Sequence, residues 1–411
     1  MNIPLSRPTI GCEEINAIKI ALESGWVTQG PRVLEFEKQF AATVGAEHAI
    51  AVSNCTDALS LALRAVGVEI GDVVITVSHS FIATANSIRT IGAEPYFVDI
   101  ELSRYGMCPT SLESVLSELT IERDGHRYIA DIDELATEHS PLLKLKSLGC
   151  SPDRLGRVAA ILVVHQMGIP ARITELKNIS SRFTIPLVED AACALGSISD
   201  KPIGSPHGLL ACFSLHPRKV ITTGEGGVIT TNDPWIARKI RLARHNGMEI
   251  SDLTRHNSSK FIQESYLVNG ENSKMTDIQA AMGLAQLNRL SDLIKRRREL
   301  GNHYRFILSD FPEQLAFPDV DHENWNYQSF PIRFVNFGRD SVRRLVDRLF
   351  ESGVSCRHGI MNSHEELPYS KSTWNLPNSC VSRDSTMLLP LFSDLSTLQI
   401  DYVCNTLRAS L

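Results

Sequence analysis

The chain has no two cysteines at the C-x-x-C spacing, and its nine cysteines are odd in number and scattered from Cys12 to Cys404. This argues against a disulfide framework or a zinc site and fits thiols kept reduced in the cytoplasm. Long apolar stretches are also missing. The longest, Val158 to Val164, falls far short of the roughly 20 residues that cross a bilayer. The opening Met1-Asn2-Ile3-Pro4-Leu5 lacks the basic-then-apolar order of a secretion signal, so a cytoplasmic protein without a membrane partner is expected. There is no excess of positive charge. The net charge is −6 and the isoelectric point is near 6.1, which disfavours nucleic acid as the main partner. The basic cluster Lys295-Arg296-Arg297-Arg298 lies in a helical pattern and reads as a solvated helix face. No internal repeat, low-complexity tract or G-x-x-x-x-G-K phosphate loop is present.

What is present is an ordinary globular composition, with 43% apolar and 21% charged residues over 411 positions. That length exceeds what one core usually holds, so a large domain over 1–285 and a smaller one over 286–411 are expected. Amphipathic helices are expected at 11–24 and 32–43, then strands at 49–53, 73–77, 96–99, 159–164, 186–189, 210–214 and 227–231. Helical patterns such as 56–66 and 80–91 lie between most of them. The alternation predicts an α/β fold, a mostly parallel seven-stranded sheet with helices on both faces. The last two strands have no helix between them and are candidates for an antiparallel pair. Residues 117–157 read as a polar insertion and 249–270 as a long loop. One long helix is expected over 276–306. It leads into a smaller α+β domain with a strand at 328–334 and helices at 341–352 and 397–411.

The most informative segment is Phe213-Ser214-Leu215-His216-Pro217-Arg218-Lys219, followed by Gly224-Glu225-Gly226-Gly227. A lysine there can form a Schiff base with an aldehyde cofactor, and Ser214 can hold a phosphate. Upstream, Leu187-Val188-Glu189-Asp190 ends an apolar run in two carboxylates. A lysine, an acid at a strand end and a phosphate cradle are what pyridoxal phosphate requires. Asp190 serves equally well as a helix cap on this evidence, and Glu189 points the other way along its strand. Asn54-Cys55-Thr56-Asp57 turns a strand into a helix and offers backbone N–H groups to a phosphate, although a plain N-cap explains it too. Phe81, just past a strand end, can stack on a planar ring or pack in the core. The run Gly270 to Asp277 reads as a turn and a cap.

The order of these pieces resembles the DegT/StrS family of pyridoxal-phosphate sugar aminotransferases, of the aspartate-aminotransferase-like fold (fold type I). The resemblance covers nearly the whole chain. It runs through Ser24-Gly25-Trp26-Val27-Thr28-Gln29-Gly30-Pro31, Asn54-Cys55-Thr56-Asp57-Ala58-Leu59, Val164-His165 with Gly168, Glu189-Asp190-Ala191-Ala192, the block around Lys219, and Met275-Thr276-Asp277-Ile278-Gln279-Ala280-Ala281. Within the family the chain looks most similar to perosamine-synthase-like enzymes. The resemblance implies that Lys219 holds the cofactor and moves protons, Asp190 pairs with the pyridine nitrogen and Phe81 stacks on the ring. Thr56, Asp57 and Ser214 would hold the phosphate, with Cys55 in the same turn. Cys193 would sit near the phenolic oxygen, and Asn272 would reach the phosphate of the other subunit of a homodimer with shared active sites. The implied substrates are L-glutamate and a nucleotide-linked keto-deoxysugar aminated at C4, for glycan or O-antigen sugar biosynthesis. Thr28, His216, Arg255, Arg357 and His358 are the substrate-contact candidates, and no metal is implied. Cys55 stands where the family usually has glycine, Cys193 where it often has glutamine or histidine, and Ser273-Lys274 where it has an aromatic and an arginine. A 3-amination or dehydration of the same sugars and a non-catalytic regulatory relative are the alternative readings.

Overall fold

The computed structural model describes residues 2–135, 137–250, 252–256, 258–310, 315–371 and 373–411. Its thirteen strands are, in chain order, β1 (His48–Val52), β2 (Val73–Val77), β3 (Glu94–Val98), β4 (Thr120–Arg123), β5 (His126–Ile129), β6 (Val158–Val164), β7 (Leu187–Asp190), β8 (Leu210–Ser214), β9 (Gly227–Thr231), β10 (Leu315–Ala316), β11 (Phe330–Phe334), β12 (Arg357–His358) and β13 (Thr386–Leu389).

Seven of them form one sheet in the order β1-β9-β8-β7-β6-β2-β3. Its pairs are parallel except those of β9, which runs antiparallel to both β1 and β8. The interior strand β6 is apolar at every position and every residue is buried, as a strand covered on both faces must be. One face packs on the helix Cys55–Ala65 and the other on Ile173–Arg182. The seven expected strands are all present, three with the expected bounds and four differing by a residue or two at an end.

The second sheet, β10-β11-β13-β12, is antiparallel. The helices Arg339–Glu351 and Thr397–Ser410 pack on it around Trp325, Tyr304 and Phe330. The N-terminal segment joins this core. The Ile3 N–H donates to the Gly353 carbonyl at 2.8 Å, and the Ile3 side chain is fully buried.

The structure changes or refines four expectations. The single helix over 276–306 is two helices, Asp277–Asn288 and Leu290–Leu308, separated at Arg289. The Arg289 guanidinium is held by the buried Glu14 at 3.0 Å, so the junction is pinned to the first helix. The basic cluster is a solvated face only in part: Lys295 is exposed, but its neighbours turn inward. Arg297 is buried and donates to the carbonyls of Tyr327 and Leu391, while Arg298 donates to that of Trp325. Burial drives the Arg297 pKa down to about 10. The segment 117–157 is folded: a two-residue Asp124-Gly125 turn, left-handed at both positions, closes the β4–β5 hairpin. Within 249–270, Asp252–His256 is a short helix, and Met248 bridges to Tyr266.

Candidate active site

A cavity of about 690 Å3 opens at the carboxyl ends of β6, β7 and β8, where open α/β sheets bind ligands. Lys219, Asp190, Cys193, Ser214, Phe81, Cys55, Thr56 and Asp57 all line it, as do His216 and Arg357.

Asp190 ends β7 and is buried beside the cavity. Its Oδ2 accepts from the Thr84 hydroxyl at 2.8 Å and its Oδ1 from the Ala192 N–H at 3.1 Å. Burial raises its pKa above the ordinary aspartate value, although Thr84, the Ala192 N–H and the Lys219 charge all pull it down. A positively charged ring nitrogen placed there would restore the carboxylate's charge. Thr84 has no evident role in the sequence; only the fold brings it to Asp190. Lys219 projects from the loop after β8, and its Nζ donates to Cys193 Sγ at 3.0 Å. Burial works to lower the lysine's pKa, but Cys193, Cys55 and Asp190 raise it above the ordinary value.

The turn after β1 is built for a close approach. Asn54 caps the helix Cys55–Ala65 by accepting from the Asp57 N–H at 2.9 Å. Asp57 is held in turn by Asn54 Nδ2 at 3.0 Å and by the Ser53 hydroxyl. Cys55 and Thr56 line the cavity, and the first N–H groups of a helix lack intrahelical acceptors, which suits a phosphate. A Cβ on Gly227 would lie 2.4 Å from the Asn54 carbonyl oxygen, so only glycine lets β9 run beneath the turn. Phe81 is 55% exposed, an aromatic face presented to the cavity rather than to the core. The residues present therefore fit pyridoxal phosphate.

Asn326 is a second residue that sequence reasoning missed. Buried between the two cores, it donates to the carbonyls of Cys193 at 2.8 Å and Leu195 at 2.9 Å, fixing the turn that carries Cys193. Gly168 makes room for it: a Cβ there would lie 2.1 Å from Asn326 Oδ1. Glu189 faces away from the cavity, between His165 and His207. Burial would raise its pKa, but the hydrogen bonds of the two histidines bring it down to about 2.

The remaining substrate candidates are not brought to the cavity within this chain. The Thr28 carbonyl accepts from the Asp277 N–H at 3.0 Å, Arg255 pairs with Glu264, and His358 lies half-buried on β12 outside the lining. Asn272 also lies outside the lining and bridges to His245. Among the described residues, His364, Glu365 and Cys380 bring donor atoms within 4.8 Å of one another, but Glu365 is already bound to Arg383 at 2.7 Å.

A mixed seven-stranded sheet with a lysine and a buried aspartate facing one cavity defines a fold type I pyridoxal-phosphate enzyme. The chain belongs to the DegT/DnrJ/EryC1/StrS aminotransferase family, whose sequence pattern matches residues 8–408. It is thus a pyridoxal-phosphate-dependent aminotransferase. It is similar to the aminotransferase TlmJ from Streptoalloteichus hindustanus, with 26% identity, a TM-score of 0.81, and 99% of this chain and 98% of that one covered. It is also similar to DesI, solved in the presence of its TDP-sugar product, at 26% identity and a TM-score of 0.79 over 99% and 92% of the two chains. Helicobacter pylori PseC, an aminotransferase of pseudaminic acid biosynthesis, shares the fold at 22% identity and a TM-score of 0.83 over 100% and 99%.

Proposed function

We propose that this enzyme transfers the amino group of L-glutamate to a keto group, at C4, of a nucleotide-linked deoxysugar, as a cytoplasmic homodimer with shared active sites, in the making of glycan or O-antigen sugars. The observation that carries the reading is the convergence of Lys219 and Asp190 on one cavity large enough for a sugar. The family membership and the TDP-sugar product bound to DesI support the substrate class.

Pyridoxal phosphate, when bound, supplies the electron sink that makes the carbon bearing the amino group acidic. Asp190, held by Thr84, would pair with the pyridine nitrogen and favour its protonated form. Lys219, whose Nζ lies in the cavity beside Cys193, would hold the cofactor and serve as the base and acid that moves a proton at the substrate carbon, for the donor and for the sugar alike. Thr56, Ser214 and the helix N-terminus behind Cys55 would hold the phosphate, joined by Asn272 from the other subunit of the dimer, while Asp57 fixes their turn. Phe81, exposed at the cavity, would cover one face of the ring. Thr28, Arg255 and His358 would act on substrate only across the dimer. Exposed apolar side chains on the first two helices, among them Ile15, Ile20 and Leu34, support such a pairing.

The test is the visible spectrum of the purified enzyme before and after L-glutamate, followed by product analysis with nucleotide-linked keto-sugars. Loss of the cofactor's aldehyde-state band and an amine on C4 are expected. An amine on C3, or no response to glutamate, would overturn the reading.

A further inference from the structure

We infer that Arg218 and Arg357 form a two-guanidinium clamp at the cavity wall, a subsite for a multiply charged oxyanion carried by the substrates. The inference rests on the proposed transamination and goes beyond it, because Arg218 has no place in the chemistry of the cofactor. Both arginines line the cavity that holds Lys219. Neither has an ion pair or a side-chain hydrogen bond among the described residues, whereas most arginines near them are committed: Arg297 and Arg298 to carbonyls, Arg383 to Glu365. Glu225 lines the same cavity and pairs with neither.

The backbone at each arginine is held in place. The Arg218 carbonyl accepts from Gln328 Nε2 at 3.0 Å, and Arg357 sits on β12 in register with Leu388. An exposed Arg218 alone would be an ordinary surface residue. Arg357 is not one: it is half-buried, and burial, with the nearby Arg218 charge, lowers its pKa. Two like charges that line one cavity without a counter-ion repel each other, and an anion with several oxygens relieves that repulsion through forked hydrogen bonds. Two substrates present such a group, the carboxylates of a dicarboxylic amino donor and the diphosphate of a nucleotide sugar. In a reaction that admits them one after the other, the same clamp can serve either.

The test uses the holoenzyme and the variants R218Q and R357Q. One arm measures the rate of the spectral change with L-glutamate and with L-alanine, which lacks the second carboxylate. The other measures binding of GDP, UDP and dTDP by calorimetry. A tenfold or greater loss of kcat/KM for glutamate, with alanine unchanged, assigns the clamp to the donor. A tenfold or greater loss of nucleoside diphosphate affinity assigns it to the sugar nucleotide. Changes below twofold in both arms for both variants would overturn the clamp. If a glutamine variant loses its cofactor, R218K or R357K keeps the charge without the fork and should show an intermediate loss; a wild-type value there overturns the clamp as well. A wild-type enzyme that ignores glutamate yet binds nucleoside diphosphate through these arginines would remove the proposed donor and leave the clamp standing.

Discussion

Lys219 Nζ donates to Cys193 Sγ at 3.0 Å, so the amine that carries the chemistry has a thiol as its one polar side-chain partner among the described contacts. Cys193 is also the leading opponent of the burial that would otherwise lower the lysine's pKa. Replacing Cys193 with Ala should therefore lower that pKa and let the cofactor-free enzyme capture pyridoxal phosphate at lower pH. The pH dependence of the capture rate checks this, and an unchanged profile would remove Cys193 from the account.

Lys219→Ala should abolish turnover, with a loss of at least 10^2 to about 10^4 in kcat, the range associated with a positioned acid–base group. Substantial residual amination in a single-turnover assay would rule out Lys219 as the proton carrier.

Thr84→Val removes the 2.8 Å hydrogen bond that favours the charged form of Asp190. Burial already raises that pKa, so its loss should raise it further. The acid limb of the pH–rate profile should move to higher pH and kcat should fall roughly tenfold or more, the scale of a hydrogen bond to a charged group. Thr84→Ser should recover both.

Asn326→Leu would leave the buried carbonyls of Cys193 and Leu195 without their donor. A cost of about 2–4 kcal/mol is expected from two unsatisfied buried groups, read as a lower urea midpoint with an unchanged slope.

His79 and His364 sit where the Ser78-His79 segment meets residues 362–382. His79 bonds Asn362 and Ser382, and His364 bonds Ser78. Burial is the main cause that holds both pKa values down, at about 4. The unfolded chain takes up these protons near pH 6.5 and the folded chain only near 4, so stability is complete above 6.5 and declines as pH falls between those values. Each histidine contributes up to about 3 kcal/mol by this difference. Urea unfolding at pH 7 and pH 5 checks the sign, and His364→Gln should flatten the slope.

The large sheet was legible because most of its strands are short runs dominated by apolar residues, as in Val73–Val77 and Val158–Val164, and such runs stay buried wherever they sit. The site chemistry was legible because Asp190, Ser214 and Lys219 fall at or just past strand ends, where side chains reach a cavity. Local pattern misjudged other elements. Arg297 lies in a basic run that reads as solvated, yet it is drawn inward by the open carbonyls of Tyr327 and Leu391. The helix expected through Arg289 breaks there because Glu14, far off in sequence, holds that arginine.

The sequence by itself determined the order of the strands along the chain, the apolar faces and the lysine, aspartate and serine of the site, since these follow from composition and short-range period. The tertiary structure alone decided who supports them. Asp277 caps the helix Pro31–Val44 by accepting from the N–H groups of Gly30 and Val33 at 2.8 and 3.0 Å, 247 and 244 residues away in sequence. Thr84 reaches Asp190 across 106 residues, and Asn326 reaches Cys193 across 133. A hydrogen bond requires its partners about 3 Å apart and aligned, and no periodicity in the chain records which distant polar groups the closed fold will bring to that distance.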